Sequence, residues 1–170
     1  VAKGLEYAYN DWCISVLAEA LGDTAIQHTY QKRGQAYRNY YDASTGFMRG
    51  KDSQGQWRTP FNPRASNHRA DDYCEGTAWQ WTWFVPHDVE GLVELMGGRE
   101  AFIGKLDSLF VADSSLEGEL VSADISGLIG QYAHGNEPSH HIIHFYNYVG
   151  QPWRTQELVD EVLQTLYFNN

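Results

Sequence analysis

The chain has 170 residues, 42% hydrophobic and 20% charged, which is enough apolar side chain for one domain with a buried core. Twelve Lys and Arg against 22 Asp and Glu leave a net charge of −10, so the basic face that nucleic acid or an anionic membrane demands is missing. No apolar run reaches the ~18 residues of a membrane span, and Cys13 and Cys74 are too few for a disulfide framework or a four-thiolate zinc site. Aromatic residues make up 14% of the chain beside 16 glycines. With the acidic balance, that composition points to a polar, neutral substrate stacked on rings. A start at Val1, without an initiator Met or a signal-type apolar segment, is the expectation for a processed chain or a piece of a longer one.

In chain order, Leu5 to Leu21 predicts a first helix with Leu5, Ala8, Trp12, Val16 and Ala20 on one side, flanked by Cys13, Leu17 and Leu21. Gly22 ends it and Asp23 caps a second helix running to about Tyr41, with Ile26, Tyr30 and Tyr37 turned inward. Phe47, Met48 and the turn Asp52-Ser53-Gln54-Gly55 before Trp57 predict a small β-hairpin or a long ordered loop. Trp79, Trp81, Trp83 and Val85 alternate like a strand, although the run is short and Pro86 stops it. Asp88 caps a short helix through Met96, and Ala101 to Phe110 gives another with Phe102, Leu106, Leu109 and Phe110 on one side. Residues 111–136 read as mostly loop, Pro138 opens a helix to Val149, and Thr155 caps a last helix whose core side is Leu158, Val159, Val162, Leu163 and Leu166. The fold class is mainly α.

Two strings could carry chemistry. In Glu75-Gly76-Thr77-Ala78-Trp79-Gln80-Trp81-Thr82-Trp83, the carboxyl of Glu75 has no neighbouring Lys or Arg and precedes three indoles. A carboxyl against aromatic walls is poorly solvated when charged and becomes a proton donor near neutral pH, as glycoside cleavage requires. The same string also fits an exposed loop Glu beside tryptophans that are simply core. His87-Asp88 fits a helix cap as well as a ligand-contacting pair. In the second string, Gln131, Asn136 and Glu137 place three side-chain oxygens in a loop against a helix start, the donor type that calcium takes. His140 and His144 share a helix face at zinc-ligand spacing, but no His-Glu-x-x-His order accompanies them. Arg58, Arg64, Arg69 and the Asp71-Asp72 pair read as a solvated charged stretch or as ligand contacts. Phosphate-binding glycine loops and the Gly-x-Ser-x-Gly elbow are absent.

Five strings together resemble glycoside hydrolase family 92, the calcium-dependent exo-acting α-mannosidases. They are Leu5 to Cys13, Thr45 to Arg49, Glu75 to Asp88, Gly135 to His141 and Gly150 to Gln156, in the family's order along nearly the whole chain. The resemblance implies that residues 1–170 are one segment of an (α/α)6 helical toroid, truncated at both ends relative to the family, with a β-sandwich domain upstream. It implies hydrolysis of terminal α-linked mannose from glycans, with α-1,2 linkages the expected target, by single displacement with inversion and Ca2+ assistance. Glu75 matches the general acid; Asn136 and Glu137 fall in the calcium-site region; His87, Asp88 and Trp79 are assigned to the sugar-binding surface. The general base belongs to a segment beyond Asn170, so the 170 residues alone are expected to be inactive and to expose apolar helix faces. Partners are then a mannose-containing glycan and the remaining parent segments, and the location is extracytoplasmic. A non-catalytic carbohydrate-binding module, with the indoles as a stacking platform, and a purely structural helical domain stand as alternatives.

Overall fold

In a computed structural model of the chain, residues 1–68 and 72–167 are described. The 3.6-residue periodicity near the start becomes α1, Ala2–Ala20, which runs antiparallel-fashion through the short Gly22 turn into α2, Thr24–Gly34. The Asp23 side chain accepts the Ile26 N–H at 3.0 Å, capping α2 as its position predicts. Helical backbone continues only as a 3-10 stretch, Gln35–Asn39, and Tyr41 lies already in a strand, so α2 ends earlier than the aromatic spacing predicts. The buried side of α1 is Leu5 and Ala8, then Asp11, Ser15 and Ala18. Val16 and Leu17 on α1, Leu21 just after it, and Ile26 on α2 are exposed instead of buried. The reason is the rotation of the contact: α2 meets the side that carries Asp11, where Arg33 Nε bonds its carboxylate at 2.9 Å.

Strands β1, Tyr41–Asp42, and β2, Phe47–Met48, pair antiparallel with Tyr41 opposite Met48. The predicted Asp52–Gly55 turn closes a separate bridge between Lys51 and Trp57, with Asp52 Oδ1 accepting N–H groups of Gln54 and Gln56. Strand β3, Ala65–Asn67, pairs in parallel with β4, Glu117–Leu120, and β5, Leu128–Ile129, forms a hairpin with β6, Tyr132–Ala133. The 79–85 run is a one-turn helix α3, Ala78–Trp81, followed by turns, and its strand-like alternation does not persist as strand. Helices α4, Val89–Leu95, and α5, Arg99–Val111, match the predicted positions, with Asp88 capping the first. After Pro138 the backbone forms two 3-10 stretches, Glu137–Ser139 and Ile142–Asn147, in place of one α-helix. The last helix, α6, is Pro152–Leu166. Thr155 lies inside it rather than at its cap, and its hydroxyl donates to the Ile143 carbonyl at 2.7 Å. Leu158 and Val162 are buried, while Leu163 is exposed.

The core is one cluster in which Leu5, Tyr37, Met48, Trp83, Leu92, Phe102, Leu106, Leu109, Tyr132, Ile142 and Tyr146 are fully enclosed. Trp83 meets Phe102 edge to face at 5.4 Å, a favoured geometry for aromatic pairs. The buried Asp42–Arg49 pair, 2.7 Å apart, pins the β1–β2 hairpin beneath this core. Burial opposes ionisation of Asp42, but bonds from Ser44 and Arg49 outweigh it and hold the carboxyl below the usual carboxylate range.

Candidate active site

Glu75 stands immediately before α3, and the start of that helix is fastened unusually well for one turn of chain. The Thr77 hydroxyl accepts the Trp79 N–H at 3.2 Å, and the Gln80 side chain reaches back to the Thr77 N–H at 2.7 Å, completing a capping box. The other end of the Gln80 amide donates to the Gln131 carbonyl at 2.6 Å. That bond joins α3 to the 131–137 segment, the second string singled out in the sequence. A further bond joins them at Glu75 itself: Asn136 Nδ2 donates to the Glu75 backbone carbonyl at 2.8 Å. Asn136 is buried, 6% exposed, in a loop that Gly135 brings close to Ser126, whose hydroxyl lies where a Cβ would stand.

Glu75 is half-buried, and no hydrogen bond or ion pair within the described residues restrains its carboxylate. Its backbone has φ +51, the one non-glycine positive φ among the described residues. A residue with a Cβ held there costs about 1–3 kcal/mol and persists only where the surroundings over-determine it. Such strain gathers at functional positions, and here it falls on the residue that the family resemblance matches to the general acid.

The tryptophans do not form an exposed ladder. Trp81 and Trp83 are 3% and 0% exposed, so a three-ring stacking platform on the surface is excluded, because two of its rings are core. Trp79 is half-buried, edge-on to Phe47 at 4.9 Å, and the Lys105 ammonium stands 4.6 Å from its ring centre. Burial lowers the Lys105 pKa to about 8. His87 is half-buried with Nε2 on the Gly34 carbonyl at 2.9 Å, and burial lowers its pKa below the ordinary imidazole value. Asp88 caps α4 through the Gly91 N–H and also accepts from the Tyr37 hydroxyl at 2.7 Å and Gln35 at 2.9 Å. Burial works against its charge, but the bonds from Tyr37, Gln35 and Gly91 prevail and keep its pKa low. His87 and Asp88 nonetheless line a cavity of about 370 Å³ together with Trp12, Glu90 and Tyr148. Another cavity of about 300 Å³ is lined by His134, His140, His144 and Tyr167; Glu75 lines neither.

Calcium takes about six to eight oxygens. Asn136 uses its amide N–H on Glu75, which leaves its oxygen as an acceptor beside the exposed Glu137. Gln131, the third oxygen of the predicted cluster, is drawn elsewhere: its amide donates to the Asp113 and Ser115 carbonyls, and its Oε1 is buried without a partner among the described residues. Among the described residues no group of three or more His, Cys, Asp or Glu side chains could hold a metal ion. Asn136 and Glu137 therefore fit a hard cation in donor chemistry but make up two positions of a shell, not a closed site. Arg58 pairs with Asp72 at 3.1 Å and Arg64 with Asp113 at 3.4 Å, while Arg69 and Asp71 lie outside the described residues.

What the sequence did not reveal is the framework around Glu75, above all Trp81, whose indole N–H donates to the Cys74 carbonyl at 2.7 Å. The Glu75-Gly76-Thr77 string did hold one signal for it. Gly76 leaves room for that indole, since a Cβ there would lie 2.7 Å from Trp81 Nε1.

Comparison with known proteins gives a consistent answer. Residues 1–170 match the model of the glycosyl hydrolase family 92 catalytic domain. The fold resembles a family GH92 α-mannosidase from Bacteroides thetaiotaomicron solved with mannoimidazole, at TM-score 0.88 and 41% identity, covering 98% of this chain and 22% of that one. It also resembles a family GH92 inverting mannosidase from Bacteroides thetaiotaomicron VPI-5482, at TM-score 0.81 and 44% identity, covering 97% of this chain and 23% of the other. An uncharacterized secreted glycosidase of Arthroderma benhamiae is 30% identical over 172 residues, which is 89% of this chain and 20% of that protein. The chain thus spans about a fifth of the length of these relatives. With the match running from the first residue to the last, the chain belongs to glycosyl hydrolase family 92, within its catalytic domain.

Proposed function

We propose that the parent of this chain is an exo-acting α-mannosidase that removes terminal α-1,2-linked mannose from glycans with inversion and with calcium, outside the cytoplasm. In this reading Glu75 is the general acid. It protonates the departing glycosidic oxygen while a water, activated by a base from another part of the parent, attacks the anomeric carbon from the opposite face. Inversion requires acid and base about 6.5–9.5 Å apart, with room for that water. On this account residues 1–170 hold the acid side, and the chain, about a fifth of the length of its relatives, is inactive by itself. The observation that carries the reading is the bond from Asn136 to Glu75, which seats the strained acid against the oxygen-bearing 136–137 loop. The mannosidase relatives and the ligand of one of them support mannose as the sugar.

Asn136 and Glu137 would hold the calcium, with further oxygens from outside this chain. Calcium bound there supplies positive charge to vicinal sugar hydroxyls and favours a distorted ring. His87 and Asp88 are assigned to the sugar-binding surface through their shared cavity. Trp79 is assigned there too, although the Lys105 ammonium stands over its ring.

The test is hydrolysis of an α-1,2-mannobiose by the full-length parent, followed by NMR of the first-formed anomer and by chelation. Release of β-mannose, loss of at least about 90% of the rate on strong chelation and recovery with calcium are expected. α-Mannose as first product contradicts inversion, and a rate indifferent to chelator contradicts the metal.

A further inference from the structure

Resting on the reading of Glu75 as the acid, we propose that Trp81 is a positioning residue for that acid, and that with Asn136 it forms a clamp on the two peptide groups bracketing Glu75. The backbone conformation of a residue is fixed by the peptide planes before and after its Cα. The plane before Glu75 carries the Cys74 carbonyl, which accepts from Trp81 Nε1 at 2.7 Å. The plane after it carries the Glu75 carbonyl, which accepts from Asn136 Nδ2 at 2.8 Å. Each side chain therefore holds one of the two rotations that define the left-handed conformation at φ +51. Relaxation to an ordinary conformation swings at least one carbonyl away from its donor. Because the Cα–Cβ direction follows the backbone, that relaxation also re-aims the carboxyl.

The clamp is itself held rigidly. Trp81 is 3% exposed, packs against Phe84 at 5.2 Å and presses its N–H edge over Gly76, where no Cβ could fit without displacing it. Its helix is locked by the Thr77–Gln80 capping box and by the bond from Gln80 to Gln131. Asn136 arrives from the opposite segment and touches the acid's peptide directly. The loop that offers oxygens to a cation and the residue that donates the proton are thereby joined through one amide group, which uses its N–H for the acid and keeps its oxygen for the cation. The Trp81 indole is thus not only core: its one polar atom is spent on a catalytic backbone.

A misaimed acid has a signature that a merely weakened fold does not. Poor leaving groups need the proton and slow down, whereas a dinitrophenyl leaving group departs without it. In the full-length parent, Trp81→Phe keeps an aromatic side chain and removes the N–H together with the five-membered ring. The expected result is a fall of about tenfold or more in kcat on mannobiose, with KM unchanged and the dinitrophenyl α-mannoside rate within about twofold. Gly76→Ala pushes the same indole from below and is expected to give the same selective loss, so it carries the test if Trp81→Phe does not fold. An equal fall on both substrates, or none on either, overturns the clamp. Glu75→Gln separates this from failure of the underlying reading. If it loses mannobiose cleavage and keeps dinitrophenyl cleavage, the acid stands and only the clamp is at issue; if both substrates survive, the assignment of the acid itself is wrong.

Discussion

Two regions of the chain are built by opposite rules. Within residues 74–81 and between them and 131–137, side chains are tied to backbone: Trp81 to Cys74, Gln80 to Gln131, Asn136 to Glu75. On the outer sides of α1 and α6, large apolar side chains stand in the open, with Leu17 61%, Leu21 75% and Leu163 54% exposed. A self-sufficient domain of this size rarely leaves so much aliphatic surface uncovered on its helices. The contrast separates what the chain organises internally, which is Glu75 and its surroundings, from the helix faces that we propose meet other helices of the parent.

The comparison can be broken most violently at the buried pair beneath the β1–β2 hairpin. Arg49→Met leaves Asp42 charged and enclosed with its cationic partner gone, and should destabilise the chain by about 3–5 kcal/mol in chemical denaturation. A loss under about 1 kcal/mol would show that the interior around the hairpin is open to water. Acid should act next. Burial lowers the pKa of both His87 and His141, and His141 is held by the Trp83 carbonyl at 2.7 Å. The unfolded chain therefore takes up protons before the folded one does. The stability from these rings is complete above the ordinary imidazole pKa near 6.5, and is lost as pH falls through their lower folded values. Tm should drop between pH 7 and pH 5, and His141→Gln should lessen that drop; an unchanged slope would remove His141 from the account. The smallest effect is expected on the bare helix faces. Leu17→Glu with Leu21→Lys should move the stability of the isolated chain by no more than about 0.5 kcal/mol while reducing self-association. In the full-length parent the same pair should cost several times more, and equal costs in both would mean that nothing covers α1.

Legibility in the sequence followed the same division. Helix α5 was readable because Phe102, Leu106, Leu109 and Phe110 all face one core, and α4 because Asp88 is both its cap and its punctuation. On α1 the apolar spacing named the wrong stripe beyond Ala8, since periodicity marks an apolar side without saying whether this chain supplies its cover. The parallel pairing of β3 with β4 was unreadable, because β4 is exposed along its whole length and joins residues some fifty positions apart. Pro138 marked a helical start but could not distinguish 3-10 from α backbone, both of which accept proline in the first turn. At the site, the sequence shows Glu75 without basic neighbours and Asn136 and Glu137 as a pair of oxygens, a pattern that also fits plain loop residues, so the roles proposed for them come from the family resemblance. Their junction was not, because the bonds that create it end on backbone carbonyls, which every residue possesses. The indoles misled in part, since Trp81 and Trp83 are core by burial and only a hydrogen bond shows what one of them adds.

The proposed function depends on a proton leaving Glu75. Its most direct test is the leaving-group dependence of the Glu75→Gln variant of the full-length parent, measured against wild type at the pH of maximal rate. Loss of about 10²–10⁴-fold in kcat on α-1,2-mannobiose is predicted, with a dinitrophenyl α-mannoside cleaved at a rate close to wild type. Undiminished mannobiose cleavage by that variant would contradict the account.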